Sequence, residues 1–128
     1  MKKISKKHTF KNEMIYEKIK RIEESIILIF FMGLMVSGAF SNISVVIKND
    51  GKMPVYAEKG TAFKSEFHTD FQNFDEVELP YYADIIKIGK AYFSIGDFMI
   101  FFGIMGVVGT IAYRATREIK KIIIRRKK

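Results

Sequence analysis

The chain has 128 residues, 48% of them hydrophobic and 14% aromatic, with no Cys, no Trp and a formal net charge of +8. That composition excludes a disordered chain, a disulfide framework, thiolate metal ligation and a Cys nucleophile. The basic residues crowd toward the two ends, a distribution that suits a membrane surface or a nucleic acid. Ile outnumbers Leu and Lys outnumbers Arg, which points to an AT-rich coding sequence and so to a low-GC bacterium or its phage.

Residues 1–25 form a basic tail. Met14, Ile15, Ile19 and Ile22 lie along one face of a helix whose other positions carry Glu13, Glu17, Lys18, Lys20, Arg21, Glu23 and Glu24. An amphipathic helix at the membrane interface, or running into it, is expected.

Residues 26–47 are 22 consecutive residues without a charged side chain. Their apolar members favour insertion by about 4 to 8 kcal/mol on the translocon scale, and the length spans roughly 30 Å of hydrocarbon. This is read as the first transmembrane helix. A soluble β-hairpin over Ile43–Val55, with its turn at Asn49-Asp50-Gly51, is the competing local reading. It does not explain why the apolar run reaches back to Ile26. A cleaved signal peptide is disfavoured by the 25 residues ahead of the run and by its length.

Residues 48–90 form a connecting loop in which short helical segments are expected. Tyr81–Lys90, following Pro80, reads as an interfacial helix with tyrosines at headgroup level. Phe63, Phe67, Phe71 and Phe74 recur at helical spacing and define one face, which either folds back on the loop or docks a partner. His68 and Asp70 together supply too few ligands for a metal.

Residues 91–113 are the second transmembrane helix, with Asp97 their only charge. Ser94 fits an N-cap and Asp97, three residues on, the acid of a capping box, where the helix dipole also favours it. Gly103, Gly106 and Gly109 make one side of this helix small, as Gly33, Ser37, Gly38 and Ser41 do on the first. Close packing in a helical hairpin or a homo-oligomer follows. Residues 114–128 continue as a basic helix, with Ile119, Ile122 and Ile123 among Arg117, Lys120, Lys121, Arg125 and Arg126. Anionic lipid, at about 1 kcal/mol per basic residue, accounts for this tail without a nucleic acid.

Charge counting orients the spans. The two tails carry +4 and +7 while residues 48–90 carry −2, so the positive-inside rule places both termini in the cytoplasm and the loop outside. The depths of Asn42 and Asp97 match across an antiparallel hairpin. A structural polar cluster is therefore expected from Asn42, Ser94 and Asp97, roofed by Asn49, Asp50, Gly51, Met53 and Pro54.

The run from Gly33 through Asn42 to Asn49-Asp50-Gly51-Lys52-Met53-Pro54-Val55, followed by Ala83-Asp84-Ile85-Ile86 and Ser94-Ile95-Gly96-Asp97, resembles the bacterial integral membrane family catalogued as domain of unknown function 5317. The resemblance covers about residues 33–113. It implies a membrane protein and imports no chemistry. The chain departs from the family pattern at Asp50, where Gly is common, and in its basic tail, which stands where additional spans are usual.

The expected fold is thus an all-α membrane protein, a two-span transmembrane helical hairpin with amphipathic or basic terminal helices. It is expected in the bacterial cytoplasmic membrane, with no catalytic set, cofactor or metal site. The expected partners are the bilayer and its anionic lipids, with other membrane subunits or a second copy of the chain. Two functions fit: a non-enzymatic accessory subunit presenting an outer loop, or a holin-like oligomeric pore. The few polar side chains within the spans favour the first.

Overall fold

The structure, a computed structural model, describes residues 2–57 and 66–126. Two helices dominate: α1 over Lys2–Lys48 and α2 over Ile95–Arg126. Both are long and apolar enough to cross a membrane, and almost none of their apolar length is buried inside the chain. Each is continuous, so the basic tails are extensions of the same helices that carry the apolar runs.

Short strands fill much of the segment between them. They are β1 (Met53–Tyr56), β2 (His68–Phe71), β3 (Ile86–Ile88) and β4 (Ala91–Phe93), with 3-10 turns at Phe74–Glu76 and Pro80–Tyr82. β1 pairs with β2 in parallel, Met53 opposite His68 and Tyr56 opposite Phe71. On its other edge β1 is bridged to Asp84: the Asp84 N–H donates to the Pro54 carbonyl at 2.9 Å and the Tyr56 N–H to the Asp84 carbonyl at 3.0 Å. β3 and β4 form an antiparallel hairpin around Gly89, which has a φ of 62°.

These strands correct the all-α expectation, and in the loop expected to contain short helical segments they stand beside two 3-10 turns. Tyr81–Lys90 is not an interfacial helix. Ile86-Lys87-Ile88 alternates at period two, and the aromatic-rich Ala91-Tyr92-Phe93 follows it across a Gly-Lys turn, a pattern that suits a hairpin better than a helix. The helical spacing of the phenylalanines is a coincidence of position. Phe71 ends β2 with 1% exposure and Phe74 opens a 3-10 turn. Both enter an aromatic cluster with Tyr56 and Tyr81, in which Phe74 stacks between the two tyrosines. Phe67 is exposed, and Phe63 lies outside the described residues. The second helix begins at Ile95, because Ala91–Phe93 is β4. The competing hairpin over Ile43–Val55 does not form, since Ile43–Lys48 is helical.

The chain divides into two compact units, Met32–Met105 and Met1–Phe31 with Gly106–Lys128. In the first of these, α1 stops in a left-handed turn. Asp50 and Gly51 take φ of 54° and 80°, and the Gly51 N–H reaches back to the Val46 carbonyl at 2.9 Å. That bond satisfies one of the free carbonyls at the helix end. The core of this unit is small: Val45, Met53, Pro54, Val55, Ala57, Phe71 and Ala83 are buried.

In the other unit the N-terminal part of α1 meets the C-terminal part of α2. Phe31 lies against Gly106 so closely that a Cβ there would overlap its ring. Glu24, 5% exposed, accepts from Arg114 Nε at 3.1 Å and from Arg117 Nη1. Lys121 donates to Glu17 at 2.7 Å and to Glu118 at 3.2 Å.

Candidate functional site

The polar residues of Met32–Met105 converge where the last turns of α1 pass the first turn of α2. Ser94 caps α2: its Oγ accepts the Asp97 N–H at 3.0 Å, and Asp97 Oδ2 accepts the Ser94 N–H at 3.0 Å. This reciprocal pair satisfies two N–H groups that a helix start leaves open. Asn42 joins it from α1. Its Nδ2 donates to Asp97 Oδ1 at 2.7 Å, and its Oδ1 accepts from Ser94 Oγ at 2.8 Å. The three residues form a ring, closed through the Ser94 and Asp97 N–H groups, in which a capping motif doubles as an interhelical tie.

Glycines admit that ring. A Cβ on Gly96 would collide with Asn42 Oδ1, and one on Gly38 would lie 2.5 Å from the Gly96 carbonyl oxygen and 2.9 Å from Met99 Cβ. The backbones therefore cross in contact, which brings the short Asn side chain within reach of the cap. The small-residue pattern of the sequence does not single out Gly96 as a packing residue. A polar residue on the facing helix, with Gly between the two cap residues, is the signal that marks it.

Beside the ring lies an open cavity of about 670 Å³. Ile43, Val46 and Ile47 of α1 form its apolar wall. Met53, His68, Tyr92 and Phe93 come from the strands, and Asn42, Asp84 and Asp97 supply polar groups. Asp84 is 7% exposed, and its Oδ1 has no hydrogen-bond partner. Its Oδ2 lies 3.9 Å from His68 Nε2. Burial first, and the charge of Asp97 second, push the Asp84 carboxyl up to about 7. A carboxyl so placed changes its proton near neutrality. Sequence reasoning passes over Asp84, because its burial comes from backbone pairing with Pro54 and Tyr56.

The other expected roof residues are dispersed. Asn49 donates to the Val45 carbonyl at 2.8 Å and the Glu78 carbonyl at 2.9 Å, and accepts the Glu78 N–H at 3.0 Å. It thus ties the chain before Pro80 to the end of α1. Asp50 and Gly51 make the turn, Pro54 is buried in β1, and Met53 lines the cavity. Of the small residues, Gly38 and Gly106 sit at close contacts and Gly103 is buried, whereas a Cβ at Gly33 or Gly109 would meet nothing within 4 Å. Ser37 is exposed. It borders a second cavity of about 250 Å³ with Ser41, whose Oγ is buried without a partner.

The chain belongs to the family of unknown function DUF5317, whose family model matches residues 27–109. That span contains the ring, the cavity and Asp84, and it excludes Glu24, Arg114 and Arg117. No curated protein and no solved structure matches.

Proposed function

We propose, for this member of the DUF5317 family, a small non-enzymatic integral membrane protein that serves as an accessory subunit of a membrane complex. On this reading the two helices form a transmembrane hairpin in a bacterial cytoplasmic membrane. Both termini are cytoplasmic, and residues 48–90 are presented outside to a partner. Anionic lipid headgroups meet the basic helix ends.

The observation that carries an accessory role over a pore is where the helical polar groups go. Asn42, Ser94 and Asp97 satisfy one another, Ser44 Oγ donates to the Phe40 carbonyl at 2.7 Å, and Thr110 Oγ1 donates to the Gly106 carbonyl at 2.8 Å. An aqueous lumen needs a polar helix face turned to water, and these groups turn inward or back onto their own helix. Apart from the exposed Ser37, the outward surface of these apolar lengths is dominated by side chains such as Ile29, Val36, Phe40, Phe101, Phe102 and Val108. Such surfaces belong against lipid or against other apolar helices.

Induced expression in a bacterial host, followed with a potential-sensitive dye and a membrane-impermeant DNA stain, tests this. The accessory reading expects an unchanged potential and no stain entry. Rapid entry of the stain on induction would replace it with the oligomeric, holin-like pore.

A further inference from the structure

We propose that the cavity beside the Asn42–Ser94–Asp97 ring binds an amphipathic organic ammonium, with the Asp84 carboxylate holding the cationic head and the α1 wall holding the apolar tail. The site goes beyond the accessory role and does not depend on it.

Volume, charge and shape lead to this ligand class. About 670 Å³ accommodates a head group with several methylenes. The lining contains two carboxylates and no Lys or Arg, so the cavity favours a positive guest. The two acids differ in what they still need. Both Asp97 oxygens already accept hydrogen bonds from the ring. Asp84 is more than nine-tenths buried and keeps an oxygen without a partner. A buried carboxylate in that condition is costly, and a cation brought beside it offsets the cost.

An organic ammonium suits the remaining surface better than a metal ion does. The described residues hold no group of three or more His, Cys, Asp or Glu able to share an ion, whereas calcium or magnesium needs about six oxygens. An alkylammonium needs one carboxylate, an aromatic ring whose face it can approach and an apolar trough. Asp84 supplies the first, Phe93 the second, and Ile43, Val46 and Ile47 the third. The head of an aminophospholipid and a free alkylamine share this chemistry.

The test is isothermal titration of the full chain in maltoside micelles with n-heptylammonium, with heptanol and heptanoate as controls. Saturable binding of heptylammonium alone is expected, weakened about tenfold or more in Asp84→Asn. Affinity should also fall between about pH 8 and about pH 6, as a proton competes for Asp84 while the alkylammonium stays charged. The other titratable groups lining the cavity are His68 on β2, Asp97 on α2 and Tyr92 on β4.

Heptanol binding as tightly as heptylammonium, or unchanged affinity in Asp84→Asn, would overturn the proposal. The heptanol comparison decides it on the wild-type chain should the variant not fold. Nanodiscs then separate the sources. Competition in discs containing phosphatidylethanolamine identifies the lipid headgroup, and equal affinity with and without that lipid identifies a free amine.

Discussion

Asn42 carries an amide into the final two turns of an apolar helix, where an unsatisfied polar group costs several kcal/mol against hydrocarbon. Its partners are the two cap residues of α2, so removing either side orphans the other. Asn42→Leu leaves Asp97 Oδ1 and the Ser94 hydroxyl without their partner, and Asp97→Leu leaves the Asn42 amide and the Ser94 N–H without theirs. Each substitution should lower stability in detergent by a similar amount, about 1 to 3 kcal/mol. The double variant should lose less than the sum, with a coupling of about 0.5 kcal/mol or more. Strict additivity in thermal unfolding monitored by circular dichroism would show that the two residues act independently. At this scale legibility follows locality. The Ser94-x-x-Asp97 spacing is a property of four consecutive residues, and the matching depth of Asn42 needs only the helical rise. Asp84 becomes a buried acid because its backbone pairs with Pro54 and Tyr56, some thirty residues earlier, and nothing near it in sequence marks that pairing.

Among the elements, the two helices are legible because their signal is long: an uncharged run of 22 residues leaves one physical solution in a bilayer. The strands are not legible, because three- and four-residue strands carry little periodicity and their partners come from elsewhere. Phe71 and Phe74 show the hazard: a spacing of three suits a helix, yet here it joins the end of a strand to a 3-10 turn. The small residues of the helices are legible as a class but not individually. Gly38 and Gly106 touch the opposing helix, whereas Gly33 and Gly109 have open space where a Cβ would go. Gly33→Ala and Gly109→Ala should therefore be neutral or should stabilise by about 0.5 to 1 kcal/mol, the usual helix preference for Ala. Gly38→Ala and Gly106→Ala should destabilise, because each new methyl overlaps atoms already in place. Thermal melts of the four variants in one detergent check the division. Loss of stability at Gly33 or Gly109 would reveal a packing partner outside the single chain.

For the molecule as a whole, the strands add an argument about topology that charge counting lacks. A two-stranded sheet has open edges, and unpaired N–H and C=O groups are not tolerated in contact with hydrocarbon. On the hairpin reading proposed above, the segment with β1 to β4 therefore belongs in water or against another protein, and the apolar lengths of α1 and α2 in lipid. The same division follows from the charges, since the basic tails prefer the cytoplasmic side and residues 48–90 are net acidic. The chain has no Cys, so single-Cys variants at Lys11, Asp75 and Lys120, all exposed positions, give a clean readout. With a membrane-impermeant maleimide, intact cells should label at position 75 alone, and permeabilised cells at all three. Labelling of position 11 or 120 in intact cells would reverse the orientation or break the hairpin. Both tails labelling together would mean reversal, and one tail labelling alone would mean that only one of the two helices crosses. The charged contacts of Met1–Phe31 with Gly106–Lys128 weigh against that last outcome. Glu24 is buried between Arg114 and Arg117, and putting the two tails on opposite sides of a bilayer would strip a buried carboxylate of both its partners. Separation would cost Glu24 its charge-assisted hydrogen bonds to both arginines, each worth about 1.5 to 3 kcal/mol, so the ion cluster favours the arrangement with both helix ends on one side.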